Sequence, residues 1–173
     1  MIDVLHQLLK GIAMYLITWT KDLVASAILM VRKRKGQGRT VAESSGTVQL
    51  DERFRRVPQF TSLKLFKEFS RVKQWIGVEQ KAIVRQLIPV LTPLLLVKEL
   101  VAMHCARAFV DFILMAQYKT HDDETLRYME QALYRIDKMK VAFRALRPLN
   151  KSTDEGHFNF LKFHVMTHYT SFI

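Results

Sequence analysis

Three of the six histidines lie close together near the end of the chain, interleaved with aromatic residues. His164 and His168 are four residues apart, so on a helix both imidazoles would face one side and could bind one metal ion. His157 is the nearest candidate for a third ligand. The single cysteine, Cys105, has no partner thiolate for a common zinc set. Packing of the aromatic side chains is therefore the preferred interpretation of this stretch, and the histidine pair is a secondary metal candidate.

A second pair of chemically capable residues, Asp3 and His6, opens the chain with helical spacing. It could serve acid–base or metal chemistry, although an acid at a helix start also stabilises the helix dipole. The spacing typical of Ser-His-Asp or Cys-His nucleophilic enzymes is missing. Acidic residues are sparse, whereas two-metal phosphoryl transfer needs several converging carboxylates. The sequence therefore predicts no autonomous catalysis, no cofactor bound by this chain and no small-molecule substrate.

Basic residues dominate the charge, with 27 Lys and Arg against 16 Asp and Glu and a formal net charge of +11. This excess suits a polyanion such as nucleic acid or an anionic membrane. Solvated surface charge is the alternative. The candidate DNA-phosphate contacts form three groups along the chain: Arg32, Lys33, Arg34, Lys35 and Arg39; Arg53, Arg55 and Arg56; and Lys64, Lys67 and Arg71.

Residues 2–31 are strongly apolar and are followed by a basic cluster, which is also the pattern of a membrane span with a cytoplasmic stop. Lys21 and Asp22 lie at the middle, however, and each would cost roughly 2.5–3.5 kcal/mol at a bilayer centre. A buried helix broken near Lys21 is therefore preferred. A small membrane-associated protein that uses this stretch stays the alternative. With one cysteine and no evident signal peptide, we expect an intracellular location, nuclear or cytoplasmic.

The apolar spacing predicts an all-α fold, a bundle of about five to seven helices. Residues 1–31 are predicted to form an apolar helix or helix pair, and residues 32–49 a basic, Gly/Ser-rich flexible loop. Residues 50–156 form the predicted helical body, and residues 157–173 an aromatic and histidine-rich segment that ends abruptly. We expect this last segment to be truncated and to expose apolar surface, which would allow self-association.

Within the body, helix boundaries follow from apolar periodicity and from breaker residues. Ser62 is a predicted N-cap, and Gly77 a predicted stop, for a helix that carries Leu65, Phe66, Phe69, Val72 and Ile76 on one face. Further helices are expected over residues 79–88, 97–118 and 124–146, with residues 90–92 extended before Pro93. Thr120–Asp123 is predicted to cap the last helix, and Arg107 is spaced to pair with Asp111.

Five groups of residues, taken in chain order, carry a likeness to a known family. They are Asp3–Gly11 (DVLHQLLKG), Leu50–Arg56 (LDERFRR), Lys73–Gly77 (KQWIG) with Glu79 and Lys81, Phe109–Tyr118 (FVDFILMAQY) with Thr120–Thr125 (THDDET), and Phe158–His164 (FNFLKFH) with His168 and Tyr169. Together they resemble the transposases of fungal Plavaka-type elements, relatives of the CACTA group of cut-and-paste DNA transposons. The resemblance covers most of the chain except about residues 25–48.

The resemblance implies a context for these residues. Such transposases carry a ribonuclease-H-like core in which an Asp-Asp-Glu/Asp triad holds divalent metal, Mg²⁺ in a complete enzyme. Related families place a large helical insertion between the second and third acids. Asp3 and His6 resemble the acid-x-x-His motif near the second acid, and the closing stretch resembles the approach to the third. The chain would then be mainly the helical insertion, truncated before the last acid.

Departures from the family pattern bear on activity. Leu9 stands where a histidine is expected, and Leu161 stands where a proline is expected before Lys162. The basic Gly/Ser-rich stretch at residues 32–46 resembles extra sequence. We therefore expect a transposase remnant without a complete catalytic triad, contributing at most non-specific DNA or protein contacts.

Overall fold

The computed structural model describes residues 12–13, 16–21, 23–24, 39–72, 75–94, 100–142 and 166–171, without the side chains of residues 39–46. The described residues form helices and turns and contain no strand, so the all-α prediction is confirmed for this part of the chain. The α-helices are α1 (Arg39–Arg55), α2 (Gly77–Leu91), α3 (Leu100–Met115) and α4 (Asp123–Met139). Short 3₁₀ turns cover Phe69–Arg71, Thr92–Leu94 and Tyr169–Ser171, and residues 16–21 are also helical.

Helix α3 lies at the centre of the core, as its almost continuously apolar sequence predicts. Phe112 and Ile113 are completely buried, and α2 and α4 both pack against this helix. The predicted pair on its outer side is confirmed, with Arg107 Nε donating to Asp111 Oδ1 at 2.7 Å. Cys105, in the middle of the helix, is buried as well.

Helix α4 begins where the acidic cap was predicted. The Asp122 carboxylate accepts a hydrogen bond from the Thr125 backbone N–H at 2.7 Å, which satisfies one free donor of the first turn. Hydrogen bonds from Thr125, first from its hydroxyl, lower the pKa of Asp122. Met129 and Ile136 are fully buried on the face toward α3. The helix ends at Met139, and residues 143–146 of its predicted extension lie outside the described residues.

The predicted flexible loop over residues 32–49 is wrong in its second half, because residues 39–49 belong to α1. Its Gly and Ser residues have low helix propensity, which is why the sequence predicts a loop. The C-terminal half of α1, however, buries Leu50 and Phe54 almost completely. Tertiary packing of one helix face outweighs weak propensity along the rest of the helix. Residues 32–38 lie outside the described part.

The helix predicted from Ser62 to Ile76 is also wrong. The described residues of this segment, 62–72 and 75–76, are irregular apart from the 3₁₀ turn at Phe69–Arg71. Ser62 has φ 64°, in the left-handed region rather than in N-cap geometry. Two members of the predicted apolar stripe, Leu65 and Ile76, are 36% and 59% exposed. Phe66 and Phe69, the buried members of the stripe, instead contact the ring of Phe54 in α1. Their spacing therefore reflects an aromatic cluster and not one face of a helix.

Helix α2 differs from prediction at both ends. Gly77, predicted to stop a helix, is its first residue, and Pro89 lies inside its last turn. Residues 90–92, predicted to be extended, are therefore helical or 3₁₀. Proline removes one N–H from the helix ladder, but Val90 and Leu91 beyond it are buried against the core. The burial of these two side chains accounts for continuation past Pro89.

The described residues of the apolar N-terminal stretch are largely buried, as predicted. Leu16 and Ile17 are at most 2% exposed, and Trp19 meets Phe109 of α3 edge to face at 5.9 Å between ring centroids. The predicted break near Lys21 adjoins residue 22, which lies outside the described residues. No helix in the described ranges has both the length and the apolar character to cross a membrane.

The closing segment packs on the helical body where it is described. Met166 is completely buried, and Tyr169 contacts Phe112 edge to face. Tyr169 Oη donates to the Ala116 carbonyl oxygen at 3.0 Å, just past the end of α3. For these residues the predicted exposed apolar patch is wrong, because α3 and α4 supply the surface that they cover.

Candidate nucleic-acid interface

Among the described side chains, the net positive charge lies mostly in one part of the fold. Residues 47–94, apart from 73–74, carry eight basic and four acidic side chains, whereas residues 100–142 carry six of each. The described α3–α4 part is therefore electrically neutral, apart from its histidines. The net positive charge of the first set comes from the end of α1, the irregular segment after it and α2. We call this set the basic region: Arg53, Arg55, Arg56, Lys64, Lys67, Arg71, Lys81 and Arg85.

An aromatic cluster fixes the irregular segment against α1. Phe54 stacks on Phe69 with 4.2 Å between ring centroids and meets Phe66 edge to face at 5.9 Å. Trp75, just before α2, contacts both Phe66 and Phe69. All four rings are buried. The cluster, rather than secondary structure, holds the backbone that carries Lys64, Lys67 and Arg71.

A buried carboxylate supports the same segment from the side of α1. Asp51 accepts hydrogen bonds from the Ser70 backbone N–H at 2.7 Å and from the Ser70 hydroxyl at 2.6 Å. Lys21 of the N-terminal segment lies over the Phe69 ring, 5.0 Å from its centroid. Burial lowers the pKa of Lys21, and the nearby Asp51 carboxylate opposes that shift. The polar contacts and the ring contact thus fix the 3₁₀ turn at one position.

Polar contacts join the irregular segment to the end of α1 on one side and to α2 on the other. Arg55 Nε donates to the Lys67 carbonyl oxygen at 2.6 Å, which links the end of α1 to the irregular segment. Lys64 Nζ donates to Glu79 Oε1 at 2.5 Å and links that segment to α2. This hydrogen bond lowers the pKa of Glu79, and a second one from the Ile76 backbone N–H acts in the same direction. Side chains distant in sequence are therefore held at fixed positions.

Five of the eight members of the basic region have no acidic partner among the described residues. Arg56 pairs with Glu52, Lys64 with Glu79, and Arg71 with Glu68. Among the described residues, no carboxylate lies within ion-pair distance of the other members: Arg53, Arg55, Lys67, Lys81 and Arg85. Ion pairs on the surface are weak and can exchange partners. The paired cations, like the unpaired ones, are therefore accessible to an anion.

Three of these arginines surround a cleft of about 620 Å³ between the end of α1, residues 57–63 and α2. Arg53 and Arg56 line it from α1 and Arg85 lines it from α2. Its remaining walls are mostly apolar and include the exposed ring of Phe60 and the pyrrolidine of Pro89. A concave apolar site rimmed by cations is suited to a ligand that has an anionic group and a flat apolar body.

The predicted DNA contacts divide into two sets. The structure joins Arg55 to the Lys67 carbonyl group and places Arg53 and Arg56 along the cleft, whereas Lys64 pairs with Glu79 and Arg71 with Glu68. The first basic group falls outside the described side chains: Arg32, Lys33, Arg34 and Lys35 lie outside the described residues, and Arg39 opens α1 without a described side chain.

Lys81 and Arg85 of the basic region, and Phe60 of the cleft wall, are not among the DNA contacts that the sequence predicts. Arg85 lies on the exposed side of α2, where a single cation in an amphipathic helix has no distinguishing signal. Its proximity to Arg53 and Arg56 arises only from the packing of α2 against α1. Phe60 follows Pro58 in a turn-rich stretch, and its 62% exposure could be guessed only from its place outside the apolar stripe.

The metal candidates gain no support from geometry. Among the described residues, no group of three or more His, Cys, Asp or Glu side chains is arranged to hold an ion. His168 is exposed, whereas His157 and His164 lie outside the described residues, as do Asp3 and His6.

Comparison with known proteins found no match among protein-family models, curated proteins or solved structures.

Proposed function

We propose that this chain is a DNA-contacting helical module, a transposase remnant without catalysis of its own, that binds the phosphate backbone through the basic region. The observation that carries the proposal is the charge asymmetry, among the described side chains, between residues 47–94 apart from 73–74, with eight basic and four acidic side chains, and the neutral α3–α4 part. Clustered cations of this kind suit a polyanionic partner. The ordered fragments that resemble Plavaka-type transposases favour DNA as the polyanion, and a DNA partner implies a nuclear location.

The geometry favours phosphate contact without base recognition. Arg53 and Arg85 lie on either side of one cleft, and neither has a carboxylate partner in the described part of the chain. An arginine can hold a phosphate with two parallel hydrogen bonds. Each phosphate that a cation neutralises releases condensed counterions, so the logarithm of affinity falls with the logarithm of salt by about 0.9 per contact. We expect a steep salt dependence and little sequence preference on duplex DNA.

The test is a fluorescence anisotropy titration of labelled duplex DNA at several salt concentrations. The double variant Arg53→Gln/Arg85→Gln should bind more weakly, with a salt slope smaller by about 1.8, or about 0.9 for each lost contact. The matched control is Arg127→Gln/Arg135→Gln on α4, which removes the same net charge from exposed positions of the neutral part. Salt-independent affinity, or equal losses in both double variants, would refute binding through the basic region.

A further inference from the structure

The cleft between α1 and α2 is lined by a buried glutamine whose side-chain oxygen has no hydrogen-bond partner among the described residues. Gln86, only 2% exposed, lines the cleft, and its Nε2 donates to the carbonyl oxygens of Lys64 at 2.8 Å and Ala82 at 3.0 Å. These two acceptors fix the orientation of the amide, because the opposite orientation would face oxygen toward oxygen. Gln86 Oε1 is buried and accepts no hydrogen bond from the described residues.

Gln86 shares the lining of the cleft with apolar side chains and with Arg53, Arg56 and Arg85. Its amide is held by two carbonyl groups, so this wall of the cleft is fixed in position. A ligand that fits the cleft has an anionic group for the guanidinium groups and a flat apolar body for the exposed ring of Phe60. A nucleotide has both, a phosphate and a base with a π face.

We propose that the cleft holds one unpaired nucleotide of single-stranded DNA, an inference that rests on the proposed DNA binding and adds a preferred form of DNA to it. Phe60, whose ring is largely exposed at the cleft, stacks on the base. Arg53 and Arg85 hold the adjoining phosphates. A duplex cannot satisfy the same site, because its bases are stacked and their pairing edges are occupied.

The experiment compares three labelled probes of equal length: a mixed-sequence single strand, its duplex, and a single strand in which the central nucleotides are abasic. The abasic probe keeps every phosphate and lacks only the central bases. Stacking of a base on an aromatic side chain is worth about 1–3 kcal/mol, which is about 5- to 150-fold in affinity. The natural chain should therefore bind the intact single strand about 5- to 150-fold more tightly than the abasic one.

The Phe60→Ala variant should abolish this difference and leave affinity for the duplex within about twofold, because an exposed ring contributes little to folding. Tyr134→Ala is the matched control, since Tyr134 is 65% exposed on α4 and lies outside the cleft. It should retain the full preference for the intact strand.

The outcomes separate this inference from the function on which it rests. Salt-dependent binding with equal affinity for intact and abasic strands would overturn the nucleotide site and leave backbone binding intact. An equal loss in Phe60→Ala and Tyr134→Ala would overturn it as well. Failure of all three probes to bind would refute the proposed DNA binding itself.

Discussion

Replacement of Phe54 by leucine tests whether the aromatic cluster determines the structure around the basic region. Phe54 is completely buried, stacks on Phe69 and meets Phe66 edge to face. Leucine retains most of the hydrophobic transfer energy but neither ring contact. Each aromatic pair is worth about 0.5–1.5 kcal/mol beyond burial, so Phe54→Leu should lower the free energy of unfolding by about 1–3 kcal/mol. A domain of ordinary stability, about 5–15 kcal/mol, would remain folded.

The measurement is urea denaturation at 25 °C, followed by far-ultraviolet circular dichroism and by tryptophan fluorescence. Trp75 contacts two rings of the cluster, so its emission should report the same transition as the helical signal. The urea concentration at the midpoint should fall. The slope of the free energy of unfolding against urea concentration should stay unchanged, because the surface exposed on unfolding is nearly the same.

The control is Phe60→Leu, which makes the same substitution at an exposed position six residues along the chain. It should change stability by no more than about 0.5 kcal/mol. A loss below about 0.5 kcal/mol for Phe54→Leu, or equal losses in both variants, would contradict the cluster. The alternative would then be a regular helix over residues 62–76, in which Phe54 need not contact Phe69.

Two further predictions concern a helix end and the buried thiol. Ile76 precedes α2 with extended backbone and has no polar atom to cap it, so Ile76→Ser should raise the free energy of unfolding by about 0.5–2 kcal/mol, and an unchanged urea midpoint would contradict this geometry. Burial raises the pKa of the Cys105 thiol from an ordinary 9.0 to about 12, so above pH 9 the unfolded chain loses a proton that the folded chain keeps. Stability should therefore fall as pH rises through this window, by about 2 kcal/mol at pH 10.5. Cys105→Ala should lack this component, and parallel pH dependences in the two proteins would refute it.

The sequence predicted the parts of the fold in which one periodicity dominates. α3 is apolar almost all round, and α4 combines a regular apolar stripe with an acidic cap, so no competing structure fits either pattern. The prediction failed between α1 and α2, where Phe66 and Phe69 have helical spacing but bury their rings against a residue from another element. Periodicity cannot distinguish a helix face from a cluster of this kind, because both bury every third or fourth residue.

Only the local part of the candidate site could be predicted, because the rest depends on contacts between distant elements. The cations of the LDERFRR stretch were evident as a charge cluster, but the cleft they line depends on how α2 packs against α1. Arg85 and Gln86 lie about thirty residues away in sequence and bear no local signal. The unsatisfied Gln86 Oε1 follows from a tertiary contact, the pair of carbonyl groups that engage its Nε2.

The stretch from Arg53 to Arg56 shows how the aromatic cluster positions the cations of the basic region. Successive residues of a helix point about 100° apart, so burying Phe54 turns Arg53 and Arg55 toward opposite sides of α1. Arg53, with Arg56 one turn along, lines the cleft, whereas Arg55 reaches the Lys67 carbonyl on the other side. What reads in sequence as one basic patch is thus two cationic rims held apart by a buried ring. If DNA binding depends on that separation, destabilising the cluster should weaken binding even though Phe54 itself never contacts DNA.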